Sequence, residues 1–405
     1  MAIKKRILLL GGAPAQLPSV VKAKEMGLYV ITCDYLPENP GHKLADEYHN
    51  VSTTDIPGVY ALAKTLNIDG ILCYASDPAA PTAAYVAERL GLPGSPYQSV
   101  DILTHKDKFR KFLREHGFNC PQAGGYATLE EAMADFDRFR LPVMVKPTDS
   151  AGSKGVSKVD DRNALEAAIR NALAFSREKR FLIEEYVEAY RYQFCGDGFS
   201  VDGELRFACL GQNHFSALSC NPFVPTGDSW PSVFPRPVLE KVKGEIQRLL
   251  RFLHMKTQAY NFDIRVTPDE QVWLMEVAPR NGGNMVCQVI EKATGVDLVD
   301  YMVRAAMGED CSGLQQVDPK GFWAVYVLHA AQDGRLKRIV YSDAIKVNIV
   351  EEHLNKRPGD LVEAFRGSHS TVGLLILRFN DMADMLEKMD HMERYIFMEV
   401  EPCGK

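Results

Sequence analysis

Residues 273–284 read WLMEVAPRNGGN. An apolar run delivers Glu276, then Arg280 and Asn281, then Gly282 and Gly283. A carboxylate at the end of a buried-looking strand is a candidate ligand for a hard cation. Mg2+ takes one or two carboxylates and completes its shell with phosphate oxygens and water. Asp263 sits in the preceding run, NFDIRV, across a Thr-Pro-Asp-Glu turn. The two carboxylates can therefore face one ion from neighbouring strands. The planar fork of Arg280 suits a carboxylate or a phosphoryl group. The glycine pair keeps the loop bare, so a substrate can lie against backbone. The competing reading is a solvent-facing hairpin laced by salt bridges.

Three further segments carry residues of the same kind. Lys146 closes the apolar run LPVMVK, and Lys106 opens a charged helix. A lysine ending an apolar strand is costly to bury unpaired, so a fixed anion nearby would explain it; snorkelling to water is the alternative. The loop DSAGSKGV (149–156) holds Ser150, Ser153, Lys154, Gly155 and Val156. Such small residues let backbone amides wrap phosphate oxygens. No GxxxxGK[ST] is present, so it is not a Walker loop, and an ordinary hairpin loop is the plain alternative. Glu184-Glu185-Tyr186-Val187 follows a short apolar strand. Its backbone edge and carboxylates can read an adenine and a ribose, although an acidic strand end is commonly a solvated face.

The elements that must position these residues follow from periodicity. Through residue 104, short apolar strands (7–12, 29–34, 49–53, 70–75) alternate with amphipathic helices. That pattern predicts a parallel, doubly wound sheet. Gly11-Gly12 after the first strand lacks the third glycine of GxGxxG, which argues against a dinucleotide fingerprint. Further on, the spacing predicts a helix ended by Gly117, a strand–loop–strand over 141–159, a helix over 163–175 and a strand over 181–189. Hairpins are expected at 195–211 and 261–277, helices at 238–254 and 295–308, and a long loop with five prolines at 221–237. His214, Asn221 and Trp230 are candidate contributors from that region, with a satisfied structural role the plainer reading for His214. The last hundred residues read mainly as strand with one late helix. The fold class expected is therefore mixed α/β and α+β multidomain. It comprises a Rossmann-like domain (1–104), a central domain (105–308, with a lid subdomain over about 120–187) and a small β-rich domain (309–405).

Composition narrows the function. The net charge of −6 gives no electrostatic reason for nucleic acid or an acidic membrane as partner. Nine cysteines without CxxC or regular spacing read as reduced thiols, which points to the cytoplasm. The start MAIKKRILLLGG reads as a first strand rather than a signal peptide. No run of 18 apolar residues occurs, so no transmembrane helix is expected.

Taken in order, Lys106, Lys146 with Ser150 to Val156, Glu184-Glu185-Tyr186-Val187, and Asp263 with Glu276 to Arg280 resemble the signature of the ATP-grasp superfamily. The carboxylate–amine ligases, biotin carboxylases, carbamoyl-phosphate synthases and purine-biosynthesis carboxylases are its relevant branches. The resemblance covers residues 1 to about 308 well and the tail less specifically. It implies ATP and Mg2+ as cofactors, with Mn2+ as an alternative ion. By the resemblance, Lys106 and Lys146 hold the α- and β-phosphates. The loop of Ser150, Ser153, Lys154, Gly155 and Val156 closes over the β/γ end. Glu184 and the backbone of Glu185, Tyr186 and Val187 read adenine. Gln193 stands near the ribose, with Glu188 and Asp197 as alternatives. Asp263 and Glu276 bind the metal. Arg280, with Lys146 and Asn281, serves the transferred phosphoryl group. Ala278 stands where many members carry asparagine; E-x-A-P-R is similar to the purine carboxylase branch and leaves open how a second Mg2+ is held.

The activity implied is ATP-dependent joining of a small-molecule carboxylate to an amine through an acyl phosphate. The N-terminal turn shows no evident set for a ribonucleotide phosphate, which favours amino-acid-like substrates. The rivals are a purine-precursor carboxylase or formyltransferase and a non-catalytic ATP-binding regulator. A nicotinamide oxidoreductase is a distant third. Homodimers are common in the superfamily, which is the sole basis for expecting one. No nucleic acid or membrane partner is expected.

Overall fold

The computed structural model describes residues 4–216, 219–367 and 370–402. Four parallel strands open the chain: β1 (Arg6–Leu10), β2 (Tyr29–Cys33), β3 (Glu47–His49) and β4 (Gly70–Cys73), in the order β3-β2-β1-β4. All but the short β3 are almost wholly buried, which is why they read as continuous apolar runs rather than alternating ones. The third strand lies two to four residues earlier than the sequence pattern placed it.

A separate sheet of four antiparallel strands covers the region expected as a lid: β5 (Ala123–Tyr126), β6 (Val143–Pro147), β7 (Ser157–Val159) and β8 (Phe181–Glu185), in the order β5-β8-β6-β7. Its own small core joins Val143, Val145, Phe181 and Ile183 to Leu165, Ile169 and Ala172 of the helix Leu165–Phe175. A helix over Leu129–Asp135, absent from the sequence reading, packs beside them. Thr128 and Glu131 close a capping box at its start.

The central sheet is antiparallel. β9 (Phe194–Val201) and β10 (Glu204–His214) form the first hairpin, turning at Asp202-Gly203, where φ is 51° and 83° as a type I′ turn requires. β11 (Gly227–Trp230) follows, then β12 (Gln258–Val266) and β13 (Val272–Ala278), the second hairpin. The tail adds β14 (Phe322–His329), β15 (Gly334–Tyr341), β16 (Ile349–Leu354), β17 (Leu361–Val362), β18 (Thr371–Phe379) and β19 (Ile396–Glu401). Eight of these strands make one sheet, β13-β12-β9-β10-β11-β14-β18-β16; β17-β15-β19 make a small second one. The β-rich C-terminal segment thus continues the central sheet rather than standing beside it. The joint is β11, inside the stretch read from its five prolines as loop. Pro225 and Pro231 flank that strand and leave its ladder bonds intact.

One face of the sheet packs on the helix Arg236–Phe252, through Val242, Ile246 and Leu249. The other face packs on the helices Val286–Thr294 and Leu298–Ala306. The first of these two went unread because Gly282-Gly283-Asn284 signals loop. Among the described residues no helix is long and apolar enough to cross a membrane.

Candidate functional site

Asp263 on β12 stands directly opposite Glu276 on β13, and the register shifts just beyond that pair. Directly opposed residues of an antiparallel pair project to the same face. Burial, and then the charges of Glu276 and Asp228, push the Asp263 carboxyl up to about 7. Glu276 reaches Lys106 Nζ at 3.4 Å, and Lys106 also donates to the Ser150 carbonyl at 2.9 Å. Lys106 is the first residue of the helix Lys106–Glu115, so the helix start, the lid loop and the carboxylate pair meet at one point. Among the described residues no group of three or more His, Cys, Asp and Glu could hold a metal ion. Two opposed carboxylates that repel each other fit a divalent ion whose remaining ligands come from phosphate and water.

Lys146, expected to hold phosphate, donates to Glu184 Oε1 at 2.5 Å. Arg110 Nε donates to the other Glu184 oxygen at 2.6 Å, and its Nη2 to the Met275 carbonyl at 2.9 Å. Glu184 is fully buried. Burial alone would raise its pKa; Arg110 and Lys146 overcome that and hold it at about 2. Burial in turn lowers the pKa of Lys146. Each oxygen of Glu184 thus takes a cationic donor, and the carboxylate anchors Lys146. Arg110 is the residue sequence reasoning missed. Its signal was an arginine between Phe109 and Leu113 on the buried face of an otherwise charged helix.

The hinge that follows is fixed by its backbone. The Glu185 amide donates to Gln122 O at 2.9 Å and the Tyr186 amide to Pro142 O at 3.0 Å. The Glu185 carboxylate accepts from the Arg140 amide. The Tyr186 ring lies about 5 Å from both Lys158 and Arg265, and the Val187 carbonyl accepts from Arg265. Gln193 donates to Asn213 Oδ1 and Asp263 Oδ1 and accepts from Arg265, which sets it beside the carboxylate pair. Of the two alternatives to it, Glu188 is exposed and Asp197 is wholly buried.

In the lid loop, Asp149 accepts from Ser176 Oγ and the amides of Arg177 and Glu178, which ties the loop's base to the start of β8. Ser153 Oγ donates to Phe223 O, and Asn221 returns a bond to Ser153 O. The loop tip thus rests on the segment entering β11. Lys154 makes no ion pair with a described residue. Gly155, at φ 72°, has no room for a side chain: a Cβ would meet Pro147 at 2.9 Å.

Arg280 is not free. Its Nε and Nη2 take both oxygens of Asp77, at 2.7 and 2.6 Å, and Nη1 donates to Asn281 O. Asn281 is fully buried; its Nδ2 reaches Asp197 and its Oδ1 has no hydrogen-bond partner among the described residues. Asp197 accepts from the Gly282 amide, Asn261, Asn281 and the Cys287 thiol. Its partners are all neutral, and burial raises its pKa. It holds the loop in place. Left-handed Asn284 (φ 50°) and Met285 (φ 61°) end this loop, and Ala75 (φ 51°) approaches Gly283 from the N-terminal sheet. Such backbone strain gathers at functional loops. His214 and Trp230 are buried in structural contacts rather than facing this loop.

A cleft of about 430 Å³ opens between the N-terminal sheet and the lid base, walled by Asp77, Tyr97, Lys106, Ser150, Glu178 and Glu276. Lys146, Glu184 and Asp263 are not among its walls. The polar groups therefore lie on both sides of the Lys106–Glu276 contact.

Residues 139–288, which hold the lid loop, the hinge and the acidic hairpin, match the family model described as ATP-grasp domain. Those residues form an ATP-grasp domain. The carbamoyl phosphate synthase large chain of Thermoanaerobacter pseudethanolicus is 25% identical over 268 residues, which is 65% of this chain and 24% of that one. The arginine-specific large chain of Bacillus subtilis is 25% identical over 360 residues, 82% of this chain and 33% of that one. The chain thus spans about a quarter to a third of the length of these relatives. Among solved structures, an L-amino acid ligase from Bacillus licheniformis superposes with TM-score 0.82 at 19% identity, covering 99% of this chain and 100% of that one. A phosphoribosylglycinamide synthetase from Anaerococcus prevotii gives 0.75 at 22% identity, with 98% and 100% covered. The biotin carboxylase domain of a Hydrogenobacter thermophilus 2-oxoglutarate carboxylase, solved with MgADP and bicarbonate, gives 0.73 at 16%, with 99% and 92% covered. These likenesses show a shared fold.

Proposed function

We propose that the chain is an ATP-dependent ligase that activates a carboxylate as an acyl phosphate and joins it to an amine, with amino-acid-like substrates. The observation that carries this reading is the meeting of Lys106, the lid loop and the opposed Asp263–Glu276 pair at one point. Phosphoryl transfer needs positioning and charge neutralisation more than covalent help from the protein. Lys106 and Lys146 bind phosphate oxygens, the hinge backbone at Glu185–Val187 receives the base, and Gln193 lies toward the ribose. Asp263 and Glu276 hold Mg2+ or Mn2+, which when bound neutralises the phosphate oxygens. Arg280 leaves part of its bond with Asp77 for the anion formed during transfer, and Asn281 steadies its backbone. The lid excludes water, which protects an acyl phosphate from hydrolysis. The close likeness in shape to an L-amino acid ligase supports amino acids as substrates.

The test is ADP release by the full chain with Mg2+ and ATP, against pooled amino acids and separately against bicarbonate or formate, with Glu276→Gln as control. Turnover with amino acids that disappears in the variant is the expected result. Turnover only with bicarbonate or formate would overturn the substrate class and favour the purine-precursor reading, which the likeness to phosphoribosylglycinamide synthetase also supports. ATP binding with no turnover in any mixture would favour a regulatory ATP-binding protein.

A further inference from the structure

Beyond the carboxylate pair, a polar row continues across the sheet. Gln193 Nε2 donates to Asp263 Oδ1 at 3.3 Å and to Asn213 Oδ1 at 3.0 Å, and Asn213 Nδ2 donates to Asp228 Oδ1 at 2.7 Å. Asn213 and Asp228 are directly opposed on β10 and β11, so they share a face. Cys195 on β9 is opposed to Asp263 and lies close to Asp228, which sets the row on the face of the carboxylate pair. The row runs from Asp263 to Asp228, with the Gln193 amide donating toward both ends and Asn213 passing a donor on to Asp228.

The neighbouring residue on each strand faces backward, and these too are bonded together. His214 reaches Asp390 Oδ1 through Nδ1 and Ser229 Oγ through Nε2, both at 2.7 Å. Tyr192 also donates to Asp390, the last residue of the helix Met382–Asp390. Tyr192, His214 and Ser229 adjoin Gln193, Asn213 and Asp228 in sequence. Ser229 is fully buried, so this serine, histidine and aspartate serve as a brace and not as a hydrolytic set.

Asp228 keeps some exposure, and no Lys or Arg among the described residues pairs with it. It also stands outside any group able to share a metal ion. A partly buried carboxylate with only neutral donors is a poor structural element and a good receptor for a cation. The tip of the 149–156 loop rests on Phe223, five positions before Asp228 in the chain.

We propose that Asp228, aimed by Asn213 and Gln193, receives the ammonium group of the amine substrate, so that the acceptor site lies on the sheet floor beyond the carboxylate pair. This rests on the ligase reading above. The test compares the full wild-type chain with Asp228→Asn, using Mg2+, ATP and pooled amino acids as the acid. Two nucleophiles are supplied in turn: pooled amino-acid amides, which carry an ammonium, and hydroxylamine, which is largely uncharged at neutral pH and traps an acyl phosphate as hydroxamate. The variant is expected to raise KM for the amides about tenfold to a hundredfold, the size of one charge-assisted bond. Hydroxamate formation is expected to stay within about twofold, which also shows the variant is folded and activates the acid. An equal fall with both nucleophiles, no change with either, or an altered Mg2+ dependence would each overturn the proposal. Wild-type protein that releases no ADP with either nucleophile would refute the ligase reading itself, and the proposal with it.

Discussion

Arg280 and Asp77 stand 203 positions apart and form a two-point ion pair between the acidic hairpin and the N-terminal sheet. Burial works against both charges, and each partner offsets it: Asp77 is held below the usual carboxylate range and Arg280 above its ordinary value. Lysine cannot reproduce a planar fork. Arg280→Lys is therefore expected to lower ADP release roughly 100-fold, as losing one transition-state donor does. Asp77→Asn leaves a buried guanidinium half-paired and should reduce unfolding free energy by on the order of 3 kcal/mol. Urea titration of each variant, alongside the ADP assay, checks both.

Glu184 predicts an acid sensitivity. Its folded pKa of about 2 lies below the ordinary 4.5, so its contribution is complete above about pH 4.5. That contribution is lost as pH falls toward 2. Glu184→Gln removes the anion between two buried cations and should cost on the order of 3 kcal/mol at pH 7. The variant should also lose less stability than wild type between pH 5 and pH 3, as thermal unfolding would reveal. Equal acid losses in the two proteins would contradict the assignment.

The carboxylate pair predicts an opposite sign. The Asp263 carboxyl is raised to about 7, so metal-free protein is relieved of repulsion at low pH and loses that relief as pH rises through 7. Asp263→Asn is expected to make the metal-free protein more stable at pH 8 while abolishing the rise in Tm that Mg2+ gives wild type. Melting curves with and without Mg2+ measure both effects.

The two glycines of the loop should differ. A Cβ on Gly282 would sit 2.9 Å from both Asp197 Oδ1 and Asn261 Nδ2, whereas one on Gly283 meets only Ala75 at 4.0 Å. Gly282→Ala is expected to displace the Arg280 loop and cut ADP release at least tenfold, a common result of small misplacements. Gly283→Ala should retain most activity. Similar losses in both would mean that Gly283 contacts substrate.

The glycine pair shows where sequence reading stopped. Gly282-Gly283 was expected to leave space for substrate. Gly282 instead leaves space for Asp197, a carboxylate 85 positions away that no local pattern links to it. Arg110 was hidden for a related reason: on a charged helix one more arginine looks solvated, and only its contact with Glu184 shows otherwise. β11 was hidden by its prolines, because the strand exists through its neighbours β10 and β14 rather than through propensity.

By itself the sequence determined the order of parallel and antiparallel units, the two hairpins, and the carboxylate pair on facing strands. These follow from periodicity and turn chemistry, which act over a few residues. Only the tertiary structure decided which charges neutralise one another: Glu184 with Arg110 and Lys146, Arg280 with Asp77, and Asp228 with no Lys or Arg among the described residues. Pairing depends on distance in space and on shared burial. The partners lie tens to hundreds of positions apart, and nothing along the chain fixes that distance until the sheets and helices have packed.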